Sequence, residues 1–318
     1  GVDVGNGYDV DSIDFDGDGD DDGLVFSEYS ELHAYYLNGS KKWTSTYDAG
    51  MAYIREVYSA NGNNDSIEDI FVRSYYGFFG VLNSTDGTYL YKSSTDYGNC
   101  YAMDVADIDD DCVDDAVLGC STVSGGGYGI VVFSYNFTSG QYEQLWTATD
   151  ATSSVYDVKA SEIEGEQNLV AFNDRTGLEK VWVYYGNGSL AWNTSDIGSY
   201  ARGLEFVDLN GDGKAKEIVV GDYSNLEAWN ESGQMWETGD LADGEPQEML
   251  AIDYDNDGVK DEVVVYVTYN GFSIYESDGT EVFSSGAYSY PMELFPTGLV
   301  DDINNDGEDE ILMAGYGG

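Results

Sequence analysis

The stretch Asp253-Tyr254-Asp255-Asn256-Asp257-Gly258-Val259-Lys260-Asp261, between Ile252 and the apolar run Val263-Val264-Val265, decides how this chain is read. Carboxylates at the first, third and fifth places point inward together when a loop curls tightly. A glycine at the sixth place allows the sharp turn, the seventh residue offers a backbone carbonyl, and an acid at the ninth closes the set. Calcium takes six to eight oxygens at ~2.3–2.6 Å, and this spacing supplies them. Mg²⁺ fits less well, because it keeps several waters and few protein ligands.

Working outward, the unit recurs. Segments Ile13–Phe26, Val105–Leu118, Val207–Val220, Ile252–Val265 and Val300–Met313 each read apolar run, acidic loop, apolar run. The first loop offers Asp14, Asp16, Asp18, Asp20 and Asp22. The next full copy offers Asp107, Asp109, Asp111, Val113 and Asp115, with Cys112 where glycine is expected. Asp208, Asn210, Asp212, Lys214 and Glu217 form another, in which Lys216 holds the ninth place and Glu217 reaches in after a one-residue insertion. Asp253, Asp255, Asp257, Val259 and Asp261 match fully, and Asp302, Asn304, Asp306, Glu308 and Glu310 complete the five. About five calcium sites are expected.

The first aspartates are spaced by 93, 101, 45 and 49 residues, so each wide gap should hide one further copy. Asn61, Asn63, Asp65 and Asp69 lead into Ile70-Phe71-Val72, and Glu162 to Glu166 leads into Leu169-Val170-Ala171-Phe172. Both are degenerate, and the second is expected to hold no metal. A second motif, strand–polar turn–strand, follows each loop, as in Leu32 to Trp43, Val183 to Trp192 and Leu226 to Trp236. Tyr, Val and Ile runs broken by Gly, Asn and Asp clusters are strand and turn signals. Seven repeats of roughly 46 residues, each four strands, predict an all-β, seven-bladed β-propeller in one domain. The repeats cover approximately 3–47, 48–95, 96–149, 150–195, 196–239, 240–286 and 287–318. The last offers only two strands, so six four-stranded blades and an incomplete seventh are expected.

The loop Asp208-Leu209-Asn210-Gly211-Asp212-Gly213 with its strand Glu217-Ile218-Val219-Val220-Gly221 resembles the FG-GAP/VCBS repeats of integrin-α-like propellers. The resemblance covers all seven repeats, with the Asn61 and Glu162 copies poor. It implies calcium in the loop between the first two strands of a blade, at the matching loops only.

Composition narrows the partners. The chain carries 61 Asp+Glu against 12 Lys+Arg, a net charge of −49, which disfavours nucleic acid and anionic membrane. The acids are clumped in the loops, which favours metal over a dispersed solvated surface. No run of ~20 apolar residues predicts a membrane span. Seven Asn-x-Ser/Thr sequons occur at Asn38, Asn64, Asn83, Asn136, Asn187, Asn193 and Asn230. Five of them fall in the turn between the third and fourth strands, an exposed place for N-linked glycans on a secreted chain. Cys100 and Cys120 flank one strand pair and are expected to form a disulfide, leaving Cys112 over.

In a four-strand meander the first and third turns share one end, so calcium loops and glycans should share a face. The other end collects Tyr47, Tyr97, Tyr101, Tyr200, Tyr288, Tyr290 and the loop from Ser124 to Gly129, which either stack on sugars or protein or pack between blades. The one histidine, His33, lies in a strand and reads as structural, and no catalytic triad, zinc cluster or phosphate loop is visible. The expected function is therefore non-enzymatic: an extracellular or cell-surface structural or adhesive glycoprotein, able to self-associate through its incomplete blade. A carbohydrate-binding module and a calcium-dependent polysaccharide lyase or hydrolase are the alternatives.

Overall fold

The computed structural model describes residues 7–45, 51–65, 67–93, 97–123, 126–198, 200–241, 245–267, 271–286, 297–301 and 310–314. Among them there is no helix long and apolar enough to cross a membrane. The chain forms two compact units, Gly1–Thr149 and Asp150–Gly318.

The first unit holds three sheets. β1 (Gly7–Ile13), β2 (Gly23–Glu28), β3 (Glu31–Tyr36) and β4 (Lys41–Thr44) make the first. β5 (Ile54–Ala60), β6 (Asp69–Ser74), β7 (Phe79–Leu82) and β8 (Tyr89–Lys92) make the second. β9 (Cys100–Ala106), β10 (Asp115–Cys120), β11 (Gly129–Asn136) and β12 (Gln141–Ala148) make the third. In the second unit, β13 (Val158–Ser161), β14 (Leu169–Asn173), β15 (Val181–Tyr185) and β16 (Leu190–Asn193) come first. β17 (Leu204–Val207), β18 (Glu217–Gly221), β19 (Leu226–Asn230) and β20 (Gly233–Glu237) follow. β21 (Pro246–Ile252), β22 (Glu262–Val267), β23 (Gly271–Tyr275) and β24 (Glu281–Ser284) form the sixth four-stranded sheet. β25 (Thr297–Asp301) and β26 (Glu310–Ala314) pair as a two-stranded sheet.

Every four-stranded sheet is an antiparallel meander in chain order, with strands called a to d below. Burial explains the sequence pattern. Strand b is covered on both faces in β6, β10, β14, β18 and β22. Such strands read as unbroken apolar runs, as Val263-Val264-Val265 does. Strand d lies at the outside: β24 is exposed along its length and β4 is at most half-buried. Each c–d pair carries one register shift, between Ala34 and Tyr35, Val81 and Leu82, Val132 and Phe133, Val183 and Tyr184, Ala228 and Trp229, and Ile274 and Tyr275. A bulge at that place in every sheet bends and twists the outer hairpin.

The cores lie between successive sheets. Val25 and Leu32 of the first sheet meet Ile54, Ile70 and Val72 of the second. Phe71 and Phe79 of the second meet Leu118, Val131 and Phe133 of the third. Ala171 and Val183 pack with Leu204 and Ile218, and Val219 and Ala228 with Met249 and Val265. The buried Val, Leu, Ile, Phe and Met side chains among these each contribute about 1.5–3 kcal/mol.

Cys100 and Cys120 are bonded, joining the ends of β9 and β10, and Cys112 is an exposed free thiol. His33 is buried, stacks on Phe26 at 5.2 Å and places Nδ1 3.0 Å from Thr44 Oγ1. Burial, and then the Lys41 charge, hold its pKa below the ordinary histidine value.

Candidate metal centres in the a–b loops

The acidic loops connect strands a and b. In the first, Asp14 is buried and its carboxylate organises the turn: Oδ1 accepts the Asp16 and Gly17 amides at 3.1 and 2.7 Å, and Oδ2 accepts Gly19 at 2.7 Å. Burial pushes its pKa up, but the Gly19, Gly17 and Asp16 amides outweigh that and hold it below the usual carboxylate range. Gly19 sits at φ 93°, a left-handed conformation that L side chains resist. The neighbouring Asp18 charge raises the pKa of Asp16, the mark of carboxylates crowded together.

The same frame recurs. Asp107 accepts the Asp111 and Cys112 amides at 3.0 and 2.8 Å; Asp208 accepts Asp212 and Gly213 at 3.0 and 2.7 Å; Asp253 accepts Asp257 and Gly258 at 3.0 and 2.9 Å. Cys112 takes the glycine's place at φ 70°.

Three loops gather carboxylates closely enough for one ion: Asp14, Asp16 and Asp18; Asp107, Asp109 and Asp115; Asp253, Asp255 and Asp257. One oxygen from each member lies within 4.8 Å of the others. Oxygens 2.3–2.6 Å from one calcium ion are at most about 5 Å apart, so these triads have the dimensions of its shell. The donors are all hard oxygens, which suits calcium better than softer metals.

The third blade's loop is the sharpest test of fit. Asp115 is fully buried, its Oδ2 accepts the Ile108 amide at 3.1 Å, and its Oδ1 has no partner. Burial, with the Asp109 and Asp111 charges behind it, pushes its pKa up to about 8. A buried carboxylate oxygen with no donor beside two further carboxylates costs free energy unless a cation sits there. The residues present fit calcium.

Sheet register sets a buried acid at one equivalent position in three blades. Asp115 opens β10 opposite Ala106; Glu262 opens β22 opposite Ile252, and Glu217 opens β18 opposite Val207. Glu262 Oε2 accepts the Tyr254 amide at 3.0 Å, the second residue of its loop, as Asp115 does with Ile108. Glu262 is buried, and burial lifts its pKa to about 7. Asp261, the predicted ninth-place ligand, lies outside the carboxylate triad of its loop. Burial, before any other cause, raises the pKa of Asp261.

The fifth blade's loop carries lysines among its acids. Glu217 is buried, Oε1 accepts from Asn210 at 2.7 Å and Oε2 has no partner. Lys216 Nζ lies 3.5 Å from Asp212, and Lys214 pairs with Glu166. Glu166 belongs to the degenerate Glu162–Glu166 copy, so that loop gives its carboxylate to lysines of its neighbour. The degenerate Asn61 copy is likewise tied to the next blade: Asn61 donates to Asp114 at 2.7 Å through its amide and to the Cys112 carbonyl at 2.7 Å through Nδ2. Asp302, Asn304, Asp306 and Glu308 lie outside the described residues, and Glu310 is placed only as the first residue of β26. Asp20, Val113, Lys214 and Val259 hold the seventh place of their loops.

The c–d sequons share one geometry. Oδ1 of Asn38, Asn83, Asn136, Asn187 and Asn230 each accepts the amide two residues on, at 2.8–2.9 Å. Asp278 makes the same turn with Thr280, at 2.9 Å. The turn therefore selects Asn or Asp followed by a small hydroxyl residue on its own account. Asn193 ends β16, where Lys180 donates to it at 3.3 Å, and Asn64 sits exposed in the second a–b loop at φ 62°.

At the opposite ends of the sheets, Tyr200 is exposed, Tyr101 is half-buried, and Tyr97 is buried against Phe133 with ring centroids 5.6 Å apart. Tyr97 thus packs inside the first unit. Tyr47, Tyr288, Tyr290, Ser124 and Gly125 lie outside the described residues.

No family model matches this chain, and no curated protein matches it. Solved structures do. The chain is similar to BBS1N in its complex with ARL6DN, at 14% identity and TM-score 0.69, covering 96% of this chain and 87% of that one. Sqt1 of Saccharomyces cerevisiae matches at 8% identity and TM-score 0.63, covering 98% and 94%. The computationally designed Ika8 protein matches at 13% identity and TM-score 0.65, covering 91% and 76%. At such identities the likeness concerns the fold alone, and with six four-stranded antiparallel blades it establishes a β-propeller architecture.

Proposed function

We propose that this chain is a calcium-stabilised β-propeller of FG-GAP/VCBS type, with seven repeats, that serves outside the cell as a structural or adhesive module. The observation that carries the reading is the buried, unpartnered Asp115 Oδ1 beside Asp107 and Asp109. Calcium there is scaffold: it lets mutually repelling carboxylates close the turn between strands a and b. The Cys100–Cys120 disulfide supports an oxidising compartment, and the exposed c–d turns leave room for glycans. Among the described residues β26 pairs with β25 alone, and that edge is where we place association with a second copy.

Calcium titration of the chelator-stripped chain tests the reading. Saturable binding of three or more ions is expected, in the loops of Asp14, Asp107 and Asp253 first. No saturable binding would overturn it. Sedimentation in calcium then separates the metal claim from the association claim: a strictly monomeric chain removes only the latter.

A further inference from the structure

The second unit carries a cleft of about 510 Å³ lined by Arg175, Tyr200, Arg202, Tyr223 and Glu245. Arg175 and Tyr223 come from b–c connections, after β14 and β18; Tyr200, Arg202 and Glu245 come from d–a connections. The cleft is therefore at the end of the blades away from the acidic loops.

Its charge runs against the rest of the chain. Only 12 Lys+Arg stand among 61 Asp+Glu, yet two arginines converge here. Buried cations elsewhere take carboxylates, as Arg73 takes Glu56 at 2.8 Å and Lys159 takes Glu205 at 3.1 Å. Arg202 follows that rule, with Glu245 at 2.9 Å and Gln247 Oε1 at 2.6 Å. Arg175 does not. Its guanidinium lies over the Tyr156 ring at 4.0 Å and 5.3 Å from that of Tyr200, with no carboxylate partner among the described residues. The Nε atoms of both arginines are buried without a partner. Two cations against one carboxylate leave the cleft one positive charge over. In so acidic a chain, an intramolecular carboxylate for Arg175 would have been easy to supply.

The rim is aromatic. Tyr200 and Tyr223 are 45% and 57% exposed, with ring centroids 6.1 Å apart and planes 58° from parallel, so both rings reach solvent beside the Arg175 guanidinium. The volume falls within the range of small-molecule sites. A planar guanidinium matches the fork of a carboxylate, and tyrosine faces stack on rings.

We propose that this cleft binds a monoanion carrying one carboxylate on a ring, with Arg175 taking the carboxylate and Tyr200 and Tyr223 flanking the ring. The single surplus charge favours a monoanion over a dianion, which the chain's −49 charge would repel more strongly. An acidic sugar and an aromatic acid share this chemistry. The proposal stands independently of the calcium reading, because no loop aspartate lines the cleft.

Isothermal titration of the whole chain, in buffered calcium, with sodium glucuronate, sodium benzoate and glucose tests it. One or both acids should saturate with a millimolar Kd while glucose does not, and the stronger acid names the source as sugar or aromatic. Arg175→Gln should weaken binding about tenfold or more, the loss of a charged fork. Tyr223→Ala, at a largely exposed side chain that the fold can spare, should weaken it about threefold or more. Failure of both acids to saturate up to about 50 mM would overturn the proposal, as would unchanged affinity in Arg175→Gln. Should Arg175→Gln not fold, unchanged affinity in Tyr223→Ala overturns it instead.

Discussion

The indole N–H of Trp43 donates to the backbone carbonyl of Ser84 at 2.7 Å, tying strand d of one blade to the c–d turn of the next. Trp236 repeats the bond with Ser277 at 2.8 Å in the second unit. Each tryptophan ring covers a glycine of that turn, Gly87 or Gly279, where a Cβ would stand 2.8 or 2.9 Å from the ring. The first and second blades, and the fifth and sixth, are thus latched at their outer edges as well as packed at their cores.

A glycine comparison tests the latch. Gly87→Ala meets both a left-handed backbone, φ 73°, and the Trp43 ring. Gly39→Ala meets a similar φ of 83° in open space. The second should cost about 1 kcal/mol in urea unfolding, from backbone strain alone, and the first clearly more. Equal costs would mean that the Trp43 contact contributes nothing.

The buried carboxylate of Asp115 should respond to substitution in opposite senses with and without calcium. Asp115→Asn removes a carboxyl whose ionised form the calcium-free fold disfavours, so the chelated chain should be as stable as the parent or more so. The same change should weaken calcium binding at that loop by about tenfold or more, since ligand charge sets affinity. Titration and melting of the variant in calcium and in chelator check both halves.

Glu227 gives a pH dependence away from the metal loops. It is buried, accepts from Trp229 Nε1 at 2.9 Å, and burial lifts its pKa to about 7. Its folded-state pKa lies above the unfolded value, so its contribution is fully present below about pH 4.5 and is lost as pH rises through about 7. Glu227→Gln keeps an acceptor for Trp229 and removes the titration. After allowance for partial screening, it should be more stable than the parent by about 1–2 kcal/mol at pH 8, with little difference at pH 4.5. Urea midpoints at the two pH values decide the matter.

Reduction should weaken the first unit. The Cys100–Cys120 bridge closes a loop of 20 residues, for which chain entropy gives about 3 kcal/mol. The Cys100→Ala, Cys120→Ala pair should lower the urea midpoint correspondingly, while a reductant should leave that variant's midpoint unchanged.

Much of this architecture is legible in the sequence because two signals repeat in phase. The acidic loops mark most of the a–b turns, and doubly covered b strands such as Ile70-Phe71-Val72 stand out as apolar runs. The inward carboxylate of the sixth blade is harder. Asp261 and Glu262 are adjacent acids, and a one-residue change of register exchanges the faces they point to. The pairing of Glu262 with Ile252, together with its burial, marks it as the acid equivalent to Asp115. The Glu166 pairing with Lys214 and the Trp43 bond to Ser84 join residues 48 and 41 apart in different repeats, and no local pattern announces them. The sequons conceal a further ambiguity, because an Asn that caps its own turn and an Asn that accepts a glycan carry the same triplet.

The most direct measurement is thermal unfolding of the chain in saturating calcium and after exhaustive chelation. At calcium 100-fold above Kd each site adds about 2.7 kcal/mol, so three sites should raise the Tm by roughly 10 °C or more. An unchanged Tm would contradict the claim that calcium holds these blades together.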